Sequence, residues 1–208
     1  MKKTPFKGRL VIIGFGSIGQ GVLPMLFDHI ELTPDRVTIV TAEDRGNEIA
    51  KKYGVKFIEK RLDQANWRQV LEPMLSKGDF LLNLSVEVSS VELIRLCHQK
   101  GALYLDTCVE PWAGGYTDPR LTPSQRSNYA LRESALALQA ELKSGPTAVI
   151  AHGANPGIVS HFVKEALLHI ARDTGRKADM PKDQAGWAAL AADLGVKVIH
   201  IAERDTQV

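Results

Sequence analysis

Leu10-Val11-Ile12-Ile13-Gly14-Phe15-Gly16-Ser17-Ile18-Gly19 decides how the rest of the chain is read. Four apolar residues without polar alternation read as a strand buried on both faces, the habit of parallel sheets covered by helices. The G-x-G-x-x-G turn that follows is a dinucleotide fingerprint when a strand precedes it and a helix succeeds it. Ile18, Val22, Leu23 and Leu26 supply the helical spacing. The three glycines serve different ends. Gly14 permits the tight turn, Gly16 lets a pyrophosphate approach the main chain, and Gly19 lets helix and strand pack closely. Ser17 and Ile18 open the helix, whose N-terminus offers unpaired N–H groups and a positive dipole end to phosphates. Gly14, Gly16, Ser17, Ile18 and Gly19 are therefore the first cofactor-binding candidates.

Outward from this turn, strands and helices alternate. The helix continues to about Asp28, although Gly21 and Pro24 inside it are expected to weaken or kink it. Residues 36–41 read as the second strand, and its end is where such domains hold the adenosine ribose. Glu43 follows the fingerprint by close to the roughly 20 residues expected of the acid that accepts both ribose hydroxyls. Thr41 and Asp44 are alternatives for that place. The acidic end favours NAD over NADP because a carboxylate repels a 2′-phosphate, while Arg45 weighs the other way. A plainer reading makes Glu43 and Asp44 a solvated loop leading into a helix over residues 47–53, which Gly54 stops.

Residues 55–58 read as the third strand and residues 64–76 as an amphipathic helix whose spacing puts Trp67 in the core. Residues 79–85 form a buried fourth strand with a polar end. Carboxyl ends of strands face the ligand crevice in such sheets, so Asn83 and Ser85 are candidate cofactor contacts; alternatively they cap the helix beginning near Ser89. That helix, over residues 90–99, ends at Gly101, and residues 102–107 make a fifth strand with Asp106 and Thr107 at its carboxyl end. The alternation predicts an α/β class, a doubly wound, mostly parallel Rossmann sheet.

The pattern breaks at Cys108-Val109-Glu110-Pro111-Trp112-Ala113-Gly114-Gly115-Tyr116, the start of a long loop rich in Gly, Pro, Thr and Ser. Loops of this length at a strand end are usually functional, so it is expected to face substrate. A helix over residues 129–143 and a sixth strand over 147–151 lead into His152-Gly153-Ala154-Asn155-Pro156-Gly157. Gly153, Pro156 and Gly157 fix an unusual backbone around Asn155. His152 reads either as a proton donor or as a capping partner. Helices over 158–171 and 184–194 flank a polar linker, and alternating residues 196–202 predict a strand ending at Glu203. Residues 1–153 are expected to be an NAD-binding Rossmann domain and residues 154–208 the beginning of an α+β substrate domain.

The 208 residues are 44% hydrophobic and carry 26 basic and 24 acidic side chains, a net charge of +2. That balance, without charge runs, asks for neither nucleic acid nor a membrane surface. Cys97 and Cys108 belong to no C-x-x-C pair and suit reduced thiols. The basic N-terminus is followed by too short an apolar run for a signal peptide or membrane span, which places the protein in the cytoplasm. Six histidines scattered without ligand spacing predict no metal site.

Carbonyl reduction by a nicotinamide enzyme usually uses a Lys, His or Tyr acid, whereas amine oxidation needs carboxylates to hold and neutralise a cationic amine. The strand ends offer Glu110, Glu203 and Asp106 with Trp112, and no lysine or arginine cluster. A cationic substrate therefore fits better than a carboxylate.

Four stretches together carry a family resemblance: residues 11–21 around the fingerprint, Tyr104-Leu105-Asp106-Thr107-Cys108-Val109-Glu110-Pro111-Trp112, His152-Gly153-Ala154-Asn155-Pro156-Gly157, and Ile199-His200-Ile201-Ala202-Glu203-Arg204-Asp205-Thr206-Gln207. In these the chain resembles the bacterial homospermidine synthases, among the saccharopine dehydrogenase-like enzymes. The resemblance implies a redox-neutral reaction. NAD oxidises an amine carbon of putrescine, ammonia leaves as a second putrescine attacks, and the Schiff base is reduced to homospermidine. It implies that Glu110, Asn155 and Glu203 line the diamine pocket. Family members are considerably longer, so the resemblance also implies an amino-terminal portion, inactive by itself. The remainder would add further acids, an aromatic residue for the cationic intermediate and homodimer contacts. The alternatives are a carboxynorspermidine- or saccharopine-type NAD(P)-dependent reductive dehydrogenase and an NAD-binding module without turnover.

Overall fold

The computed structural model describes residues 2–203, so Arg204 to Gln207 of the last motif lie outside the described residues. In chain order the elements are β1 (Thr4–Pro5), β2 (Leu10–Ile13), α1 (Ser17–His29), β3 (Ile30–Glu31), β4 (Val37–Thr41), α2 (Asn47–Lys52), β5 (Lys56–Glu59), α3 (Trp67–Leu71), β6 (Phe80–Asn83), α4 (Ser90–Lys100), β7 (Leu103–Asp106), α5 (Asn128–Leu142), β8 (Ala148–Val149), α6 (Ile158–Asp173) and α7 (Gln184–Asp193). Six strands form one parallel sheet in the order β5-β4-β2-β6-β7-β8. The chain builds outward from β2 to β5, then returns to β2's other side with β6. That reversal is the switch point at which open α/β sheets bind ligands beyond the carboxyl ends of their strands.

Side chains of β2 alternate between two cores. Leu10 and Ile12 pack with Val37, Ile39 and Leu82 under Leu23 and Ala50, while Val11 and Ile13 pack with Val40, Leu81 and Tyr104 under Leu71, Leu93 and Leu138. All four β2 residues are at most 2% exposed, as a strand with helices on both faces requires. At the amino edge, the buried Asp79 carboxylate accepts from the Arg9 main-chain N–H at 2.7 Å and from Arg9 Nε and Nη2 at 3.0 and 2.8 Å. At the carboxyl edge, Ile13 is in register with both Val40 and Asn83, and Asn83 with Asp106. The loops after these strands therefore leave the sheet at one level.

Three local expectations change. The helix expected over residues 64–76 is only Trp67–Leu71, followed by a 3-10 turn at Glu72–Met74, because Pro73 has no N–H for an α-helical interior. The strand expected over residues 196–202 does not form: Val198, Ile199 and Ile201 stay exposed, and among the described residues no strand pairs with this segment. Alternation makes a strand only where a neighbour completes the ladder. In contrast to the expected weakening, α1 runs unbroken across Gly21 and Pro24. The two-stranded parallel sheet of β1 and β3, unforeseen, is too short for any periodicity to register.

The chain divides into two compact units, Met1–His152 and Gly153–Val208. The first holds the six-stranded sheet. The second holds α6 and α7, with Lys164 Nζ 5.5 Å from the centre of the Trp187 ring. Leu167 and Ala171 are its buried apolar residues among those described.

Candidate functional site

The fingerprint glycines differ in their surroundings. Gly14 has φ +82°, and a Cβ there would lie 2.7 Å from Ser85 N and 2.8 Å from Leu84 C, so the turn after β2 and the chain leaving β6 nearly touch. Gly19 would bring a Cβ to 2.9 Å from the Phe15 ring and 3.0 Å from Gly14 O, which is the close packing of α1 on the turn. A Cβ on Gly16 would meet nothing within 4 Å. Its main chain is open on one side, which is what an approaching pyrophosphate requires.

Gly14 and Gly16 sit at the wall of a cleft of about 680 Å³ over the carboxyl edge of the sheet, a size within the range of small-molecule cofactor sites. Thr41, Glu43 and Ser85 also line it, as do Arg45, Lys60, Arg61, Glu87 and Trp112. Glu43 is largely exposed, its carboxylate 4.0 Å from Arg45 Nε. Ser17 and Ile18 form the exposed first turn of α1, and Gly19 is buried behind them. These residues fit a dinucleotide: an open glycine turn at a helix N-terminus for the pyrophosphate, and an acid beyond β4 for a ribose.

Asn83 and Asp106 do not reach the cleft as expected. Asn83 Oδ1 accepts from Ser85 N–H and Oγ–H at 3.2 and 2.6 Å, and its Nδ2 donates to the Tyr104 hydroxyl at 3.3 Å. Tyr104 donates in turn to Asp106 Oδ2 at 2.8 Å, and Asp106 Oδ1 accepts from Ala151 N–H at 2.6 Å. Asn83 and Asp106 are 1% and 0% exposed and neither lines the cleft; this row of polar groups ties the ends of β6 and β7 together. Burial pushes Asp106 above the usual carboxylate range, against the pull of its hydrogen bonds from Ala151 and Tyr104. Burial, with Asp106 beside it, raises the Tyr104 phenol well above its ordinary value. Thr107 is half-buried just past β7 and does not line the cleft.

Glu110, 8% exposed, is fixed at both ends. Its N–H donates to Ser90 Oγ at 3.0 Å, Ser90 N–H donates to its carbonyl at 2.9 Å, and its Oε2 accepts from Glu87 N–H at 3.2 Å. Burial and then the neighbouring Glu110 charge raise the Tyr116 phenol and the Cys108 thiol, Asp106 adding to the latter, so both stay neutral. A buried acid with a second acid, Asp106, near it is a place where a cationic amine gains most from a carboxylate. Trp112 reaches the cleft and packs on Trp67, ring centres 5.9 Å apart.

Asn155 and Glu203 belong to the second unit, and both are exposed. Gly157 has φ +131°, and a Cβ there would lie 2.3 Å from Gly153 O, so the loop carrying Asn155 is closed tightly on itself. Among the described residues no group of three or more His, Cys, Asp or Glu could hold a metal ion, and no helix is long and apolar enough to cross a membrane.

Residues 10–149 match the sequence profile of the saccharopine dehydrogenase NADP binding domain. The chain belongs to this family. Two relatives are similar over 96% of the chain: the homospermidine synthases of Blastochloris viridis, 48% identical, and Mesorhizobium japonicum, 43% identical. The chain spans only 43% and 42% of their lengths. The crystal structure of the homospermidine synthase of Legionella pneumophila in complex with NAD matches all of this saccharopine dehydrogenase-type chain at TM-score 0.87 and 47% identity, over 42% of its own chain. A saccharopine dehydrogenase from Saccharomyces cerevisiae shares the fold, at TM-score 0.56 and 17% identity.

Arg61, Lys60 and Glu87 are cleft residues that no sequence motif marks. Their signal is position: each closely follows a strand whose carboxyl end faces the crevice.

Proposed function

We propose that this chain is the dinucleotide-binding part of a homospermidine synthase, which condenses two putrescines to homospermidine with release of ammonia in an NAD-dependent, redox-neutral reaction. The observation that carries this reading is the match along nearly the whole chain to homospermidine synthases, one of them described in complex with NAD. Bound in the cleft, NAD would supply reversible hydride exchange with the amine-bearing carbon. Gly14, Gly16 and the first turn of α1 would hold its pyrophosphate, and Thr41 and Glu43 its adenosine ribose. Glu43 favours NAD over NADP by charge repulsion of a 2′-phosphate.

Glu110, Asn155 and Glu203 would serve the diamine. A carboxylate neutralises the ammonium, takes its proton so that the nitrogen lone pair can assist oxidation, and returns a proton to the departing ammonia. Asn155 would orient an amine by its side-chain amide. On this reading the protein acts in the cytoplasm, as a homodimer in its complete form.

Incubation of the complete protein with putrescine and a small amount of NAD+ is expected to yield homospermidine and ammonia without net NADH. Accumulation of NADH in step with putrescine loss contradicts the redox-neutral reading and favours a dehydrogenase. In the same assay Glu110→Gln is expected to lower turnover by about a hundredfold or more while leaving NAD affinity unchanged.

A further inference from the structure

Arg61 follows β5 and Glu87 follows β6, and β4 and β2 lie between those strands in the sheet. Three strand spacings separate their roots, about 14 Å at the usual interval between neighbours. Yet Arg61 Nη2 and Glu87 Oε2 are 3.2 Å apart. Both residues line the cleft that Gly14 and Gly16 also line, so the ion pair joins the loop after β5 to the loop after β6 across it. Glu87 is also held in an unusual conformation, φ +61°, which L side chains other than Asn and Asp seldom adopt. In that conformation its N–H donates to the Glu110 carboxylate at 3.2 Å.

We infer that the Arg61–Glu87 pair is a clasp that retains the dinucleotide, and that Glu87 links this clasp to the position of Glu110. The inference rests on the proposed cofactor site. It adds a requirement that a redox-neutral reaction imposes and an ordinary dehydrogenase lacks: the reduced cofactor must stay until the second half of the reaction is complete. A bridge across the cleft slows escape without adding contacts that discriminate oxidised from reduced cofactor. The same residue that closes the cleft positions the carboxylate beside it, so closing and alignment of Glu110 occur together.

The decisive variant is Glu87→Gln, because clasp and simple charge predict opposite signs. An acid beside an anionic dinucleotide repels it, so charge alone makes the Gln variant release cofactor more slowly. Loss of a clasp makes release faster. NADH release from the complete protein is followed by stopped-flow fluorescence on displacement with excess NAD+. The expected result is release about three- to fivefold faster in both Glu87→Gln and Arg61→Met, the scale of an exposed ion pair, with the double variant no faster than either single one. Slower or unchanged release in Glu87→Gln overturns the clasp and leaves the cofactor site standing. No NADH binding by the wild-type protein overturns the cofactor site and the clasp together. Circular dichroism of each variant confirms that the fold is retained, and if Glu87→Gln does not fold, Glu87→Asp, which keeps the charge but draws it back from Arg61 and tolerates the positive φ, provides the result: faster release supports the clasp and unchanged release overturns it.

Discussion

The two glycines of the fingerprint turn that look alike in sequence differ in the room they leave for a side chain. A side chain at Gly14 needs φ +82° and collides with main-chain atoms of Leu84 and Ser85. Gly14→Ala is therefore expected to cost about 2 kcal/mol or more in stability. Gly16 has empty space where a Cβ would go, so Gly16→Val is expected to leave the melting temperature nearly unchanged while abolishing NAD binding. Calorimetric titration and thermal unfolding of the pair test both; equal NAD affinity in Gly16→Val removes the turn from the cofactor site. Asp106 gives a second prediction at this scale. Its pKa is raised in the folded state, chiefly by burial, so the native protein holds that proton more tightly than the unfolded chain. The stability this gives is complete below the ordinary value of 3.8 and is lost as pH rises through the raised value. Asp106→Asn keeps an acceptor for Ala151 N–H but cannot titrate. The unfolding free energy of wild type minus variant, from denaturant melts at a series of pH values, is expected to be most favourable in acid and to decline toward neutrality. A difference that does not change with pH contradicts it.

Among the elements, β2, α1, β4, β6, α4 and β7 were legible because each is dictated by local chemistry: apolar runs, helical spacing and terminal glycines. Gly54 and Gly101 both end helices at positive φ, as their places in sequence imply. What was illegible depends on partners far away in the chain. Residues 196–202 alternate like a strand and have no ladder neighbour among the described residues, while β1 and β3 pair despite having two residues each. At the site, Asn83 and Asp106 stood at the correct strand ends, but sequence could not say that Tyr104, two residues before Asp106 on β7, would occupy them both. Nor could it show Glu87 at positive φ, which turns its N–H toward Glu110. The start of α4 illustrates how an element serves the site. Ser90, wholly buried, accepts from Glu110 N–H and donates its own N–H back. Ser90→Ala leaves that buried N–H without its acceptor and is expected to cost about 1–3 kcal/mol. Because Glu110 loses an anchor, diamine turnover is expected to fall more than NAD affinity, measured by steady-state kinetics and calorimetry side by side.

For the molecule as a whole, the sheet supplies a cleft at its switch point and the loops after β5, β6 and β7 equip it. On the proposed reading the glycine turn holds the dinucleotide and the acids hold the diamine. A buried Glu110 with Asp106 near it favours a cation, as the resemblance to homospermidine synthases implies. A hydride that is removed and returned within one active site leaves a signature that a dehydrogenase cannot imitate. The measurement that tests this most directly is turnover of putrescine carrying deuterium on one amine-bearing carbon, with unlabelled NAD+ and the complete protein. If oxidation and reduction occur in one retained site, homospermidine formed by reaction at that carbon keeps both deuterium atoms, and free NADH carries none. Product that has lost one deuterium at that carbon, or deuterated NADH released to solution, contradicts it.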